Sequence, residues 1–302
     1  MTPRRVLLIV NPTAGNRTAV ASCARFEQQL QSAGLICDRK VSTAPSEALY
    51  LARQFAPQFD VLVAVGGDGT AFEVANGILA AGANQAALSI LPSGTGNDLA
   101  KVLGIGSAAE TARALLEHRT RRIDVIEISC IRNGKAIQRH ALLFAAVGII
   151  SDLSVKTTNL RKRLFGRRLA YRVSLLQALW SYSSPQMHVT CDGSTIENRF
   201  LLACASNADS AGGGIKLAPG ALMDDGLLNV NLVEAMSRPR AFNQLRRLAR
   251  GRHINHPKVR YTSAQILEVK SAPPIDVAAD GELLGQTPAR FCVRPKGLLV
   301  VA

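Results

Sequence analysis

The sequence predicts an α/β domain on a mostly parallel sheet, followed by a second, mostly antiparallel β domain. Three observations carry that expectation. Short apolar runs near 5–10, 35–41, 60–65 and 87–91 alternate with helical spacing near 17–32, 45–56, 70–81 and 97–117. That order gives a parallel sheet with helices on both faces. Beyond Arg121-Arg122-Ile123-Asp124 the texture changes to strand-like segments separated by polar turns such as Asn133-Gly134 and Asp192-Gly193, which suits antiparallel pairing. Finally, two glycine-rich turns follow the third and fourth apolar runs, where parallel sheets bind their ligands.

Taken in order, the chain opens on Met1–Val10, whose apolar run is too short for a signal peptide and ends at Asn11-Pro12, so it reads as a first buried strand. The turn Asn11-Pro12-Thr13-Ala14-Gly15-Asn16 is rich in small residues, and spacing alone allows a plain β-to-α connection. Val61–Val65 then runs into Gly66-Gly67-Asp68-Gly69-Thr70, and helical spacing follows at Phe72, Val74, Ala75, Ile78 and Leu79. Ala87–Leu91 repeats the logic with Gly94, Gly96 and Asp98. The second domain is expected to have strands near 122–131, 135–146, 186–192, 197–206, 227–233, 264–270 and 289–295, with helical patterns near 167–183 and 239–250. The boundaries drawn are 1–123 and 124–294, with 295–302 able to return to the first domain.

Neither glycine turn is a G-x-x-x-x-G-K-[S/T] loop or a G-x-G-x-x-G fingerprint. Each still places a flexible turn ahead of a helix N-terminus, whose free N–H groups make an anion site. Gly66–Gly69 can cradle phosphate through the backbone. Asp68 and Asp98, on neighbouring strand ends, are candidate partners for Mg2+ or its waters, since that ion takes a few carboxylates and keeps water. Asp98 can equally serve as a helix N-cap.

These residues carry a resemblance. Gly66-Gly67-Asp68-Gly69-Thr70 with Glu73-Val74 and Asn76-Gly77, then Leu91-Pro92 and Gly94-Thr95-Gly96-Asn97-Asp98, closely resembles the diacylglycerol-kinase-type catalytic domain. Downstream, Gly212-Gly213-Gly214, Ala218-Pro219-Gly220, Asp224-Asp225-Gly226-Leu227 and Asp280-Gly281-Glu282 look like later blocks of that family, and His253 with His256–Val259 looks like a bacterial lipid kinase subgroup. The resemblance covers nearly the whole chain. It implies a Rossmann-like nucleotide domain, a β-sandwich lipid domain and an active site in the cleft between them.

The resemblance also implies ATP and Mg2+ as cofactors and a membrane lipid as substrate. It adds Asn11, Pro12, Thr13, Ala14, Gly15, Thr43, Thr70, Glu73, Thr95 and Asn97 to the nucleotide contacts made by Gly66, Gly67, Asp68, Gly69 and Asp98. It makes Asp280 or Glu282 the base that deprotonates the lipid hydroxyl, although by spacing alone that block is a hairpin turn. It makes Asp225, with the backbone carbonyls of Leu222 and Leu227, a second, structural Mg2+ site, backed by Asp124 and Lys162. A plain Asp-Gly turn is the other reading of that segment.

Composition bounds the partners. The chain has 302 residues, 47% apolar and 19% charged, with a formal charge of +14. Such a charge attracts polyanions. Cations concentrate at Arg161, Lys162, Arg163, Arg167, Arg168 and Arg172 around Leu164 and Phe165, and again from Arg238 to Arg260. Few acids interrupt them, which suits an anionic membrane surface, whereas a solvated helix face is the ordinary explanation. A non-enzymatic nucleic-acid-binding protein is the alternative drawn from charge alone, but nucleic acid is not expected: aromatic residues are 5% and no reading motif is present. An NAD kinase-like enzyme is the neighbouring alternative. Six scattered cysteines without C-x-x-C spacing read as buried thiols of a cytoplasmic protein. His253 and His256 lack a third metal ligand and read as structural. No apolar stretch reaches a transmembrane span, His140–Ile150 being the longest, so the expectation is peripheral membrane association. A homodimer is admitted.

Overall fold

The computed structural model describes residues 4–17, 19–82, 86–151, 182–248 and 250–302. The chain falls into two compact units, Met1–Val125 with Pro295–Ala302, and Ile126–Arg294.

In the first unit, strands β1 (Arg5–Val10), β2 (Ile36–Val41), β3 (Val61–Gly66) and β4 (Ala87–Pro92) pair in parallel in the order β2-β1-β3-β4. Burial follows position. All six residues of β3 are buried, as a central strand requires, whereas β2 at the edge buries only Cys37. Val300 pairs in parallel with Leu88, so the chain terminus adds to the far side of β4. The connecting helices are α1 (Ala19–Ser32), α2 (Glu47–Phe55), α3 (Asp68–Ala81), α4 (Asp98–Val102) and α5 (Ala108–Leu116). Helix α3 buries nine of its residues, and Gly77 lets it approach α2: a Cβ there would collide with the Leu49 carbonyl and Ala52.

The helix expected over 97–117 is in fact two. Gly104 adopts φ 76°, and the N–H groups of Gly104 and Ile105 bond back to the carbonyls of Lys101 and Ala100 at 3.1 and 2.9 Å. That pair of bonds is a Schellman ending. The chain restarts at Ser107, whose Oγ accepts from the Glu110 N–H at 3.2 Å while the Glu110 carboxylate bonds the hydroxyl at 2.8 Å. A periodic apolar pattern ran through this break because both pieces face the same sheet.

In the second unit β6 (Lys135–Ala141), β7 (Phe144–Gly148), β8 (Gln186–Cys191), β9 (Ser194–Ser206), β10 (Leu228–Glu234), β11 (Val259–Ala264), β12 (Ile266–Ser271) and β13 (Asp276–Ala279) join parts of β5 (Thr120–Arg132) and β14 (Glu282–Val301). The pairings recorded for these strands are antiparallel, and they close a circuit β9-β7-β13-β14-β12-β8-β9. The long strands make the closure. Residues 194–199 of β9 pair with β8 and 202–206 with β7, while β14 pairs with β13 through 282–286 and with β12 through 289–292.

Several boundaries differ from expectation. The run 135–146 is broken at Leu142-Leu143 into β6 and β7, 289–295 lies inside the 20-residue β14, and β11 was not anticipated. The helical pattern 239–250 is α6 (Arg238–Leu248), which ends on Gly251 at φ 68°. Residues 167–181 of the expected helical pattern and the cationic group 161–172 lie outside the described residues, and Tyr182 and Ser183 are not helical. Among the described residues, no helix is long and apolar enough to cross a membrane.

Candidate active site

The carboxyl ends of β1 to β4 bring four loops together. Asn11 ties the first loop in place: its N–H donates to the Val65 carbonyl at 3.0 Å, and its Oδ1 accepts from the N–H and hydroxyl of Thr13 at 3.0 and 2.8 Å. The side-chain amide of Asn11 donates to Thr70 Oγ1 at 3.2 Å, linking this loop to the start of α3. Pro12, Ala14 and Gly15 complete the turn, with Gly15 at φ 58°. After β2, the Glu47 carboxylate accepts from the N–H groups of Thr43 and Ala44 and from the Thr43 hydroxyl. Those bonds, the Thr43 N–H first, hold Glu47 below the usual carboxylate range. Glu73 accepts from the Ser46 N–H at 3.2 Å, so its carboxylate fastens the start of α2.

The two glycine turns lie against each other. A Cβ on Gly94 would sit 2.5 Å from the Gly67 Cα, and one on Gly67 would sit 3.2 Å from the Gly94 Cα. Only two glycines allow that approach of one backbone to another. Ser93 N–H donates to the Gly66 carbonyl at 2.8 Å, continuing the β3–β4 ladder into the loops. Asn97 locks the second turn with both ends of its amide, accepting from Gly94 N–H and donating to Gly94 O, each at 2.9 Å. It holds φ 51°, a left-handed position that asparagine tolerates. Thr95 is exposed at the tip. Lys101 Nζ donates to the Gly96 carbonyl at 2.6 Å, a contact that sequence motifs did not signal.

Asp68 and Asp98 converge on Gly96. A Cβ at that position would stand 2.6 Å from Asp68 Oδ2 and 3.7 Å from Asp98 Oδ2. Asp68 Oδ1 accepts from the Leu99 N–H at 3.3 Å. Burial raises the Asp68 carboxyl above its usual range; the neighbouring Asp98 charge adds to this, and N–H groups of α4 oppose it. Two adjacent carboxylates, Asp68 and Asp98, are a donor set that a hard divalent cation suits. The residues present therefore fit Mg2+.

In the second unit, the acid block sits at the β13–β14 hairpin, where Asp280 and Gly281 take φ 49° and 90°. The Asp280 carboxylate is committed. It accepts from the N–H groups of Leu142, Leu143 and Phe144 at 2.6, 2.9 and 2.9 Å, and the Asp280 N–H donates to the Phe144 carbonyl at 3.0 Å. Asp280 thus forms the bend between β6 and β7. Glu282, two residues on, is exposed.

Gly212, Gly213 and Gly214 carry φ of 63°, 88° and 86°, closed by two hydrogen bonds between Ala211 and Ile215. Three consecutive left-handed residues require glycine. Asp225 is exposed and accepts from the Leu227 N–H at 3.0 Å, with Gly226 at φ 75°. One carboxylate beside the backbone of Leu222 and Leu227 offers only hard oxygen donors. Among the described residues no group of three or more His, Cys, Asp and Glu could hold a metal. Asp124, expected behind that site, is fully buried and accepts from the Lys296 N–H at 2.7 Å, so it holds a turn near the chain terminus. Lys162 lies outside the described residues. His256 Nδ1 accepts from the Lys258 N–H at 3.1 Å, a structural contact. All six cysteines are free; burial pushes Cys23 and Cys37 up to about 11 and Cys204 to about 12.

Comparisons with known proteins agree on one family. The diacylglycerol kinase catalytic domain family matches residues 5–128, and the YegS C-terminal NAD kinase beta sandwich-like domain matches residues 145–302. A diacylglycerol kinase of Staphylococcus saprophyticus is 30% identical over 95% of this chain and 92% of its own. The crystal structure of a diacylglycerol kinase from Bacillus anthracis superposes with a TM-score of 0.74 at 23% identity, covering 100% of this chain and 97% of that one. Yeast NADH kinase, solved with NADH, shares the fold more distantly, with a TM-score of 0.52 at 14% identity over 100% of this chain and 84% of that one.

Proposed function

The chain belongs to the diacylglycerol kinase family of lipid kinases, and from that premise we propose that it transfers the γ-phosphate of ATP, with Mg2+, to a hydroxyl of a diacylglycerol-like lipid. The observation that carries this reading is the contact of Gly67 with Gly94 beside the Asp68–Asp98 pair. Backbone N–H groups at the start of α3 would cradle the phosphates, with Thr70 and Thr95 beside them. Asn11–Gly15 and Thr43 would border the nucleotide. Glu73 and Asn97 would act by fastening those loops, since Glu73 Oε1 accepts from the Ser46 N–H and both ends of the Asn97 amide bond Gly94. Asp68 and Asp98 would hold Mg2+ directly or through its waters, and the bound ion would neutralise charge on the phosphoryl oxygens.

Of the two acids in the second unit, Glu282 is the better base. A general base must reach the hydroxyl with an available lone pair, and Asp280 already accepts three backbone N–H bonds. Asp225 with the carbonyls of Leu222 and Leu227 would hold a second Mg2+ that stiffens the adjacent loop. The protein would meet its substrate by peripheral contact with an anionic membrane surface.

The test is a phosphoryl-transfer assay with ATP and Mg2+ on diacylglycerol, monoacylglycerol, phosphatidylglycerol, sphingosine and ceramide, with NAD as a control acceptor. Phosphate should appear on lipid. Phosphate on NAD alone would overturn the proposal.

A further inference from the structure

The residues assigned to the nucleotide include three acids, Asp68, Glu73 and Asp98, and no lysine or arginine. The carboxylates of Asp68 and Asp98 offset the charge of any Mg2+ they hold. The phosphates of ATP would then rest on backbone N–H groups and hydroxyls alone. Phosphoryl transfer depends on neutralising charge on those oxygens, and lysine serves phosphate sites as a point charge.

Lys101 places a cation on the second glycine turn. It lies on α4, and its Nζ donates to the Gly96 carbonyl at 2.6 Å. Gly96 is also where the acid pair converges: a Cβ on it would stand 2.6 Å from Asp68 Oδ2 and 3.7 Å from Asp98 Oδ2. The acids lie where a Gly96 side chain would stand, and the ammonium lies at its carbonyl. Despite that nearness, among the described residues Lys101 makes no ion pair. Lys216, Arg260 and Arg290, by contrast, pair with Asp209, Glu234 and Glu268.

The side chain is held in place. A Cβ on Gly106 would stand 3.5 Å from Lys101 Cγ, so the stem runs past that glycine. A basic residue in the last turn of a helix ordinarily bonds the last carbonyls. Lys101 instead reaches back to Gly96, ahead of α4. An ammonium has three donors, and the carbonyl takes one. The residue is exposed, which leaves the other two open to a ligand. A brace for the turn needs only the first.

We propose that Lys101 is a phosphate ligand of the nucleotide site, bonding Gly96 with one hydrogen and presenting the others to the β- and γ-phosphates, the end that carries the metal in this chemistry. The inference rests on the ATP-dependent reading and adds a residue to it. It makes the Gly96 turn bipolar, with the metal-holding acids on one side and a phosphate-holding cation on the other.

The experiment measures dissociation constants for ATP, ADP and AMP with Mg2+, by NMR titration, on the wild type, Lys101→Met and Lys101→Arg. Methionine keeps the stem and removes the charge. Lys101→Met should weaken ATP and ADP about tenfold or more and leave AMP unchanged, because a charge-assisted bond to phosphate is lost. Lys101→Arg should stay within about threefold of the wild type for all three, since the charge is kept. The salt dependence of ATP binding should also flatten in Lys101→Met. Equal losses for the three nucleotides would make Lys101 a brace of the turn, and no loss would make it a solvated cation; either result overturns the inference. A wild type that binds none of the three overturns the ATP-dependent reading together with the inference. Lipid phosphorylation by Lys101→Met at the wild-type KM for ATP overturns the inference alone.

Discussion

Asp280 and Glu282 stand two residues apart in opposite surroundings, one held by three N–H donors and the other exposed. The sequence could not separate them, because an Asp-Gly hairpin and a catalytic acid are spelled alike. Only the partners of each carboxylate tell them apart. Asp280→Asn turns an amide nitrogen towards those N–H groups, and hydrogen bonds to a charged group contribute about 1.5–3 kcal/mol each. We expect Asp280→Asn to lower stability by roughly 2–3 kcal/mol, measured by denaturant unfolding, with Glu282→Gln within about 0.5 kcal/mol of wild type. A stable Asp280→Asn protein would remove Asp280 from its structural role. Asp68 offers a pH test. Its folded carboxyl lies above the unfolded value through burial first and the Asp98 charge among the further causes, so the folded state binds the extra proton between those values. Stability at this residue therefore rises as pH falls through that window. Asp98→Asn should move the Asp68 midpoint, read by carbon NMR, downward; an unmoved midpoint would mean that the two acids do not sense each other.

At the scale of elements, the glycines of one motif do different things. Gly67 and Gly94 allow two loops to touch, whereas Gly77 lets α3 pack on α2. Gly77→Ala should therefore destabilise the protein by about 1–3 kcal/mol through overpacking while leaving nucleotide affinity unchanged in the folded fraction. Gly94→Ala should instead weaken nucleotide binding, read by titration calorimetry. If Gly77→Ala impaired binding as Gly94→Ala does, the division would be wrong. The strand ends and glycine turns were legible because apolar runs followed by glycine have few other solutions. The helix break at Gly104 and the bend at Leu142-Leu143 were not. The first closes on local backbone bonds, a Schellman turn, and the second on a distant partner, the Asp280 carboxylate, and apolar periodicity registers neither.

The whole molecule carries a formal net charge of +14, and one group of its cations has a definite shape. Arg246, Arg247, Arg250 and Arg252, with Asn243, line a hollow of about 310 Å³, and among the described residues no acid lines it. The Schellman turn at Gly251 folds Arg252 back, its N–H donating to the Arg247 carbonyl at 2.9 Å. Arg260, by contrast, pairs with Glu234 at 3.5 Å. Each Lys or Arg near an anionic surface contributes about 1 kcal/mol. Changing the four arginines to Gln should weaken co-sedimentation with anionic vesicles, and the difference should vanish at high salt. Equal sedimentation at low salt would make this hollow a solvated face.

The most direct test replaces one acid from each unit and follows one reaction. Wild type, Asp68→Asn and Glu282→Gln are mixed with γ-labelled ATP, Mg2+ and detergent-dispersed acylglycerol, and label on the lipid is followed through a single turnover. Wild type should label the lipid. Asp68→Asn should lose about 10²–10³ in rate, and Glu282→Gln about 10²–10⁴ with ATP affinity retained. Wild-type rates in both variants, or label on NAD and none on lipid, would contradict a lipid kinase working through these residues.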